Sequence, residues 1–421
     1  MGINILNRYK NSEYKKEIHD TLWVMCLQGL NYLVPILVVP YLMVVLGAEK
    51  FGYYGFALAV SQWLLLMVDF GFNLSATKRI AVAMGNQDEV NKIFSSTMYA
   101  KIGLLGISFV ILLLMMLIPQ FAIYRKAMAL MFIMVIGNAF FPVFLFQGIG
   151  KVRIGAIING IAKISVLPLT FILVKSPDDY ETAIILQGMV CIIAAIISVL
   201  LIANKKWIKI TKFKSDEVKE ELKESWPLFL SQAATSIYTA MFIIILGFFA
   251  TAEDVGQYSA ADRLMRASCQ LILFSTLQVF YPKVSRLAKE DRTAAVRLSS
   301  KLLKIITGLM IFIWAILFFG STMIIELLGK DYKGGELLFR IMAFVPIFVG
   351  ISGILGQCYL LALGNEKSKK LYTHTYFIAG GIAMLSVLIL TSALHGVGTA
   401  IALLITEIAV VINMGRGMRT I

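Results

Sequence analysis

Charge is scarce in this 421-residue sequence: 15% of residues are Asp, Glu, Lys or Arg, 59% are hydrophobic, and the mean hydropathy is +0.81. A soluble domain carries roughly 25% charge, so a water-soluble globule is excluded and an integral membrane protein is expected. Histidine is scarcer still. His19, His374 and His395 are the only three, and they are too scattered to hold a metal. The four cysteines, Cys26, Cys191, Cys269 and Cys358, all fall inside apolar runs without CxxC spacing and read as small core residues. No glycine-rich phosphate loop ending in Gly-Lys-Ser or Gly-Lys-Thr is present, so ATP is not the direct driver and no cofactor is implied. The first 20 residues are polar and basic and lack the apolar stretch of a signal peptide. Leu6 stands where a myristoylation signal needs Ser or Thr.

The charge that remains has one dominant sign, a net +14. In a soluble chain this would suggest nucleic acid. In a membrane protein it is the signature of loop Lys and Arg that orient the chain, and no nucleic-acid partner is expected.

A membrane-crossing helix needs roughly 20 mostly apolar residues. About twelve such segments can be drawn, with cores near 21–46, 53–77, 98–118, 124–147, 154–174, 182–203, 226–249, 255–282, 303–325, 337–363, 371–394 and 396–414. The fold class is therefore all-α and integral to the membrane. Connections are short, except for the basic stretch 204–224 in the middle. With the N-terminus inside, only Lys50, Arg125, Lys126, Lys175, Lys330 and Lys333 fall in outer loops, so both termini are expected in the cytoplasm.

Two short stretches match. AEKFGYY (48–54) lies between the first two spans, and AEDVGQY (252–258) between the seventh and eighth. Each is followed by a long span that ends in basic residues, at 76–81 and 282–286. A polar turn and a third span come next, with NKIFSS (91–96) facing VRLSS (296–300). The pattern predicts two six-helix lobes, 1–203 and 225–421, joined by the linker. Both start on the same side, so they form a parallel repeat of the kind transporters use to hold substrate between halves.

The run 38–81 carries Leu46-Gly47, Phe51-Gly52, DFGFNLSAT (69–77) and Arg79-Ile80-Ala81. It resembles the N-terminal signature of bacterial lipid-linked oligosaccharide flippases of the Wzx or O-antigen-transporter type, in the polysaccharide-transport branch of the multidrug/oligosaccharidyl-lipid/polysaccharide exporter superfamily. The resemblance extends more loosely over the whole chain. It implies a MATE-like fold of twelve helices in two lobes around a cationic cavity, and no catalytic residue. It also implies transfer of an undecaprenyl-pyrophosphate-linked sugar unit from the inner to the outer leaflet of the bacterial cytoplasmic membrane, for surface polysaccharide biosynthesis. The expected partners are the lipid-linked oligosaccharide (a polyprenyl pyrophosphate), membrane lipids, and polysaccharide polymerase and chain-length proteins. Two other readings compete. A multidrug cation antiporter of the same superfamily would need an acidic cavity. A membrane glycosyltransferase, polymerase or ligase would carry a large outer loop.

Ionisable residues inside spans are costly unless they face water, protein or a partner. Lys163 sits at the centre of the fifth expected span, roughly 14 Å from either end. Arg263 and Arg266 lie on one face of the eighth at i, i+3 spacing. Two arginines on one stripe suit a pyrophosphate, because the guanidinium fork matches phosphate oxygens. Asp262 stands at i, i+4 from Arg266, so a self-neutralised structural pair is the competing reading. Lys101 and Lys304 occupy nearly equivalent places in the two repeats. They either snorkel to the interface or line the mouth that meets an anionic headgroup. Arg340 is a further candidate close to a span end. Asp69, Asp262 and Glu407 are candidates for coupling to protons or sodium, and Asp69 can equally anchor helix packing.

Overall fold

The computed structural model describes residues 37–237 and 240–418. The start of the first expected span, with His19, Trp23, Cys26 and Pro35, and the basic residues Arg8, Lys10, Lys15, Lys16 and Arg419 lie outside the described residues. Among the described residues the chain is helical, without strands.

Among the described residues the main helices follow in order: α1 (37–46), α2 (48–82), α3 (Gln87–Leu117), α4 (Pro119–Gly148), α5 (Val152–Leu173), α6 (Pro177–Asn204), α7 (Ser215–Ile237 and Ala240–Phe249), α8 (252–290), α9 (Arg292–Phe319), α10 (Glu336–Leu363), α11 (366–394) and α12 (396–418), with a short helix, Ser321–Leu328, between α9 and α10. Two long stretches, Leu37–Val82 and Glu366–Met418, each fold into two. The first turns at Gly47, where φ is 68°, and the second at His395, where φ is 48°. Glycine tolerates such a positive φ, and a histidine there is uncommon.

Local signals fix several starts. Thr251 and Asp254 form a reciprocal capping box on α8. Asn86 caps α3 and Asp291 caps α9, satisfying N–H groups that a helix start leaves open. Helix α7 begins at Ser215, about three turns before the apolar stretch that starts near Trp226. SDEVKEELKES opens with acids that complement the helix dipole. The helix therefore extends into what the sequence alone reads as linker.

The buried apolar residues form three groups that define the architecture. One, from Phe72 to Ile202, belongs to α2–α6, with Val218 and Leu222 of α7 packed against it. A second, from Leu273 to Met414, belongs to α8–α12. The third combines both halves and includes Phe51, Phe56, Tyr54, Val255, Tyr258, Tyr332 and Leu338. The two lobes thus have separate cores towards the end that carries the 204–214 linker. They share one core towards the end that carries the two repeated motifs.

At the shared end α2 crosses α8 with almost no side chain between them. A Cβ on Gly52 would collide with the carbonyl oxygen of Ala252, and one on Gly256 with that of Ala48. Ala48-x-x-x-Gly52 and Ala252-x-x-x-Gly256 are thus small-xxx-small stripes, which permit close helix approach where burial from water supplies no driving force. Tyr332 adds a hydrogen bond from its hydroxyl to the Met43 carbonyl oxygen, 3.1 Å.

At the linker end contact between the halves runs through the first half of α7. Helix α2 breaks at Phe70 and Gly71, with φ of 42° and 83°. Any side chain at Gly71 would meet Ser225, Leu228 and Phe229 of α7. Phe70 stacks on Phe229 at 4.5 Å, and the Ser75 and Ser225 hydroxyls lie 2.6 Å apart.

Candidate functional site

The ionisable residues of the spans sort into distinct neighbourhoods. Two adjoining cavities, of about 220 and 440 Å³, lie near the lobe boundary; the smaller is lined by the first lobe together with Arg263, the larger by both lobes. Val39, Leu58, Gln62 and Arg263 line both. Lys163 of α5 lines the smaller, beside Tyr54 and Gln187. Asp262 and Arg266 of α8 line the larger. Tyr54 and Gly55, two and three residues after Gly52, line the cavities, so they open directly beside the helix crossing.

Arg263 leans on the opposite lobe. Its guanidinium lies 5.4 Å from the Tyr54 ring centre and 5.7 Å from that of Phe51. An arginine on an aromatic face gains about 0.5–1 kcal/mol where it stays partly solvated. No carboxylate pairs with it among the described residues. Arg266 is matched within its own helix: its Nε donates to both Asp262 oxygens, at 2.9 and 2.7 Å. Glu407 of α12, buried, lies within electrostatic reach of Arg266. The spacing read from the sequence is realised, and both readings of the pair have a physical basis: Asp262 neutralises Arg266, yet the pair faces a cavity.

Tyr54 completes the wall by donating to Gln187 Oε1 at 3.3 Å. Gln62 and Gln187 escaped a search for intramembrane charge because they are neutral. A polar side chain at mid-span is the sequence signal that would have found them.

The other candidates lie elsewhere, lining neither cavity. Lys101 is 1% exposed and bound to Asp69 at 2.9 Å inside the first lobe, and its Nζ also lies 3.5 Å from the Asn138 carbonyl. Asp69 lies just before the break in α2, and an unpaired charge there would be costly. Lys304 is exposed. The position that corresponds to Asp69 in the second repeat is Leu273, so the equivalent lysine has no carboxylate to fold towards. Arg340 sits at the surface, donating to Ser321 Oγ at 3.1 Å and lying over Phe318. Among the described residues no group of three or more His, Cys, Asp and Glu could hold a metal ion.

The profile of a family described as polysaccharide biosynthesis protein matches residues 18–288. A protein of Escherichia coli K12 named "Putative O-antigen transporter" is 30% identical over 393 residues, 92% of this chain and 93% of that protein. A Shigella dysenteriae protein of the same name is 32% identical over 403 residues, 95% of this chain and 99% of that protein. Among solved structures, the lipid II flippase MurJ in an inward closed conformation superposes with a TM-score of 0.67 at 18% identity, over 94% of this chain and 87% of that chain. An inward-facing multidrug resistance MATE family transporter superposes with a TM-score of 0.64 at 15% identity, over 92% of this chain and 98% of that chain. These likenesses place the fold in the MATE-like class.

Proposed function

The chain belongs to the polysaccharide biosynthesis protein family, and from that premise we propose that it is a flippase for a lipid-linked oligosaccharide with an undecaprenyl-pyrophosphate anchor. It is a multi-pass membrane protein, and its relatives are named as transporters. The observation that carries the proposal is a cationic cavity between two lobes that are sealed at one end and have separate cores at the other. Lys163 comes from the first lobe and Arg263 and Arg266 from the second, so a pyrophosphate between them draws the halves together. Asp262 and Glu407 gather around Arg266, while Arg263 rests on aromatic rings of the first lobe with no carboxylate paired to it among the described residues. A cationic drug would be repelled there, whereas a diphosphate is attracted.

The lobes are assigned as 1–203 and 225–421 with the 204–224 linker on the cytoplasmic side of the bacterial inner membrane, as the Lys and Arg bias requires. In this orientation the Gly52–Gly256 crossing is the outer gate. A headgroup of about two negative charges gains roughly 4–5 kcal/mol on moving outward across 100 mV, inside negative. Transfer towards the outer leaflet is thus favoured without ATP. Alternating access then consists of parting α2 from α8. A polysaccharide polymerase and chain-length proteins are the partners that would use the product.

The test is reconstitution. Vesicles containing the protein and a fluorescent pyrophosphate-linked saccharide are treated with a membrane-impermeant quencher. Protein-dependent acceleration of exposure is expected, together with loss of surface polysaccharide and accumulation of inward-facing units in a deletion strain. Lipid-linked units that still reach the outer leaflet in a strain with no second flippase would overturn the proposal.

A further inference from the structure

The linker is not a loose tether. After α6 ends, Lys206 takes a left-handed φ of 51°, a position where a helix cap normally carries glycine. The next residues run extended along α3. Gln87 Nε2 donates to the Trp207 carbonyl at 2.8 Å. Lys209 N–H donates to Asn91 Oδ1 and Thr211 N–H to Ser95 Oγ, both at 2.9 Å. Tyr99 hydroxyl donates to the Thr211 carbonyl at 2.9 Å, and its ring meets Phe213 edge-on at 5.4 Å. The helix residues recur every fourth position and the linker residues every second. Four helical residues rise about 6.0 Å, and two extended residues about 6.6 Å, so the ladder stays in register. The flippase reading gives this strap no task.

The outward side has a definite chemistry. Lys205, Lys206, Lys209, Lys212 and Lys214 are exposed, and among them Ile210 is 76% and Phe213 61% exposed. No acid lies between Asn204 and Ser215. At the head of the strap, Lys151 Nζ lies 3.7 Å above the Trp207 ring, and Gln87, Lys151, Lys206 and Trp207 help to line a cavity of about 340 Å³. Basic residues alternating with bulky apolar ones, held rigidly at a helix end, match an anionic bilayer surface: apolar tips enter the acyl boundary while the ammonium groups stay among phosphates.

We infer that the strap 205–213, with the Lys151–Trp207 cavity, is a binding surface for the headgroup of an anionic phospholipid in the adjoining leaflet. This surface is separate from the transport cavity and does not depend on the nature of the cargo. Bound lipid holds the strap, and α3 with it, at a fixed depth in the membrane.

The full chain is reconstituted with dibrominated phosphatidylglycerol or dibrominated phosphatidylcholine at equal mole fraction. The Trp207 signal is isolated by subtracting the emission of Trp207→Phe. Phosphatidylglycerol is expected to quench Trp207 more strongly than phosphatidylcholine. Replacing Lys205, Lys206, Lys209 and Lys212 with Gln should raise the phosphatidylglycerol mole fraction at half-maximal selective quenching by about fivefold per lysine, with helix content and flipping of a fluorescent lipid-linked saccharide retained. Lys151→Gln, which leaves the strap intact, should reduce it as well. Equal quenching by the two lipids would overturn the inference, as would an excess that survives in the four-lysine variant. Selective quenching by a brominated polyprenyl phosphate alone would overturn it too, marking the strap as an entry point for cargo. Loss of the excess on adding inorganic phosphate at constant ionic strength would mark a site for the free anion and would also overturn it.

Discussion

Gly52 and Gly256, 204 positions apart in the chain, pack into each other's helices so closely that neither tolerates a Cβ: the first would strike Ala252 and the second Ala48. Gly55 faces Ser259 at the same offset. The duplicated motif thus meets its own copy across the lobe boundary. Each copy supplies the small residues that allow the other helix to approach so closely.

Locking this crossing is expected to stop transport. Ala48→Cys and Ala252→Cys, joined by a short cleavable bismaleimide, should lose nearly all flipping in reconstituted vesicles. Cleaving the linker should restore it. Full activity in the cross-linked protein would show that the lobes do not part there.

Arg266→Lys should keep partial activity, because charge remains while the bidentate fork is lost. Arg266→Ala should lose most of it, but an unpaired buried Asp262 would itself cost about 3–5 kcal/mol. The double change of Asp262 and Arg266 to Ala separates the two effects. Continued loss of surface polysaccharide at normal protein levels supports anion binding by Arg266. Restored polysaccharide marks a structural pair.

Glu221 links the lobes at the linker end, on the part of α7 that precedes the apolar stretch. It lies 2.8 Å from Arg79 of α2, accepts from Ser96 of α3 at 3.0 Å, and is 1% exposed. Burial pushes its carboxyl up to about 7, against the pull of Arg79 and Ser96; Glu220 and Glu224 on its own helix push the same way as burial. The folded protein therefore holds this proton more tightly than the unfolded chain. Stability from this group is fully present below about pH 4.5 and is lost as pH rises through about 7. The change amounts to roughly 3 kcal/mol at most. Thermal unfolding in detergent should show a higher midpoint at pH 5.5 (about the middle of that window) than above it. Glu221→Gln should flatten the difference and raise the midpoint at the alkaline side. An unchanged pH profile in the variant would assign the effect to other groups.

Single cysteines at 178 and 254 should react with an impermeant maleimide from outside intact cells. Those at 212 and 367 should react only after permeabilisation. Labelling of position 212 in intact cells would reverse the orientation and, with it, the assignment of the outer gate.

The sequence by itself determined the all-α membrane class and the family, because each rests on one-dimensional features: hydropathy over 20-residue windows and the motif residues of the run 38–81. It also singled out Lys163, Arg263 and Arg266 by depth alone, since a mid-span cation is costly wherever it faces lipid. Which of these cations share a cavity was decided only by tertiary structure. Lys101 and Lys304 look equivalent along the chain, yet one folds onto Asp69 and the other stays exposed, because a carboxylate 32 positions away has a leucine as its counterpart. The neutral wall residues Gln62 and Gln187 and the aromatic rest for Arg263 were equally hidden. Their role comes from helices distant in sequence meeting across the lobe boundary, a relationship that neither hydropathy nor spacing encodes. The strap on α3 belongs with them: its lysines were legible as a basic linker, but its rigidity arises from a match between helical and extended rise that exists only once the two segments lie side by side.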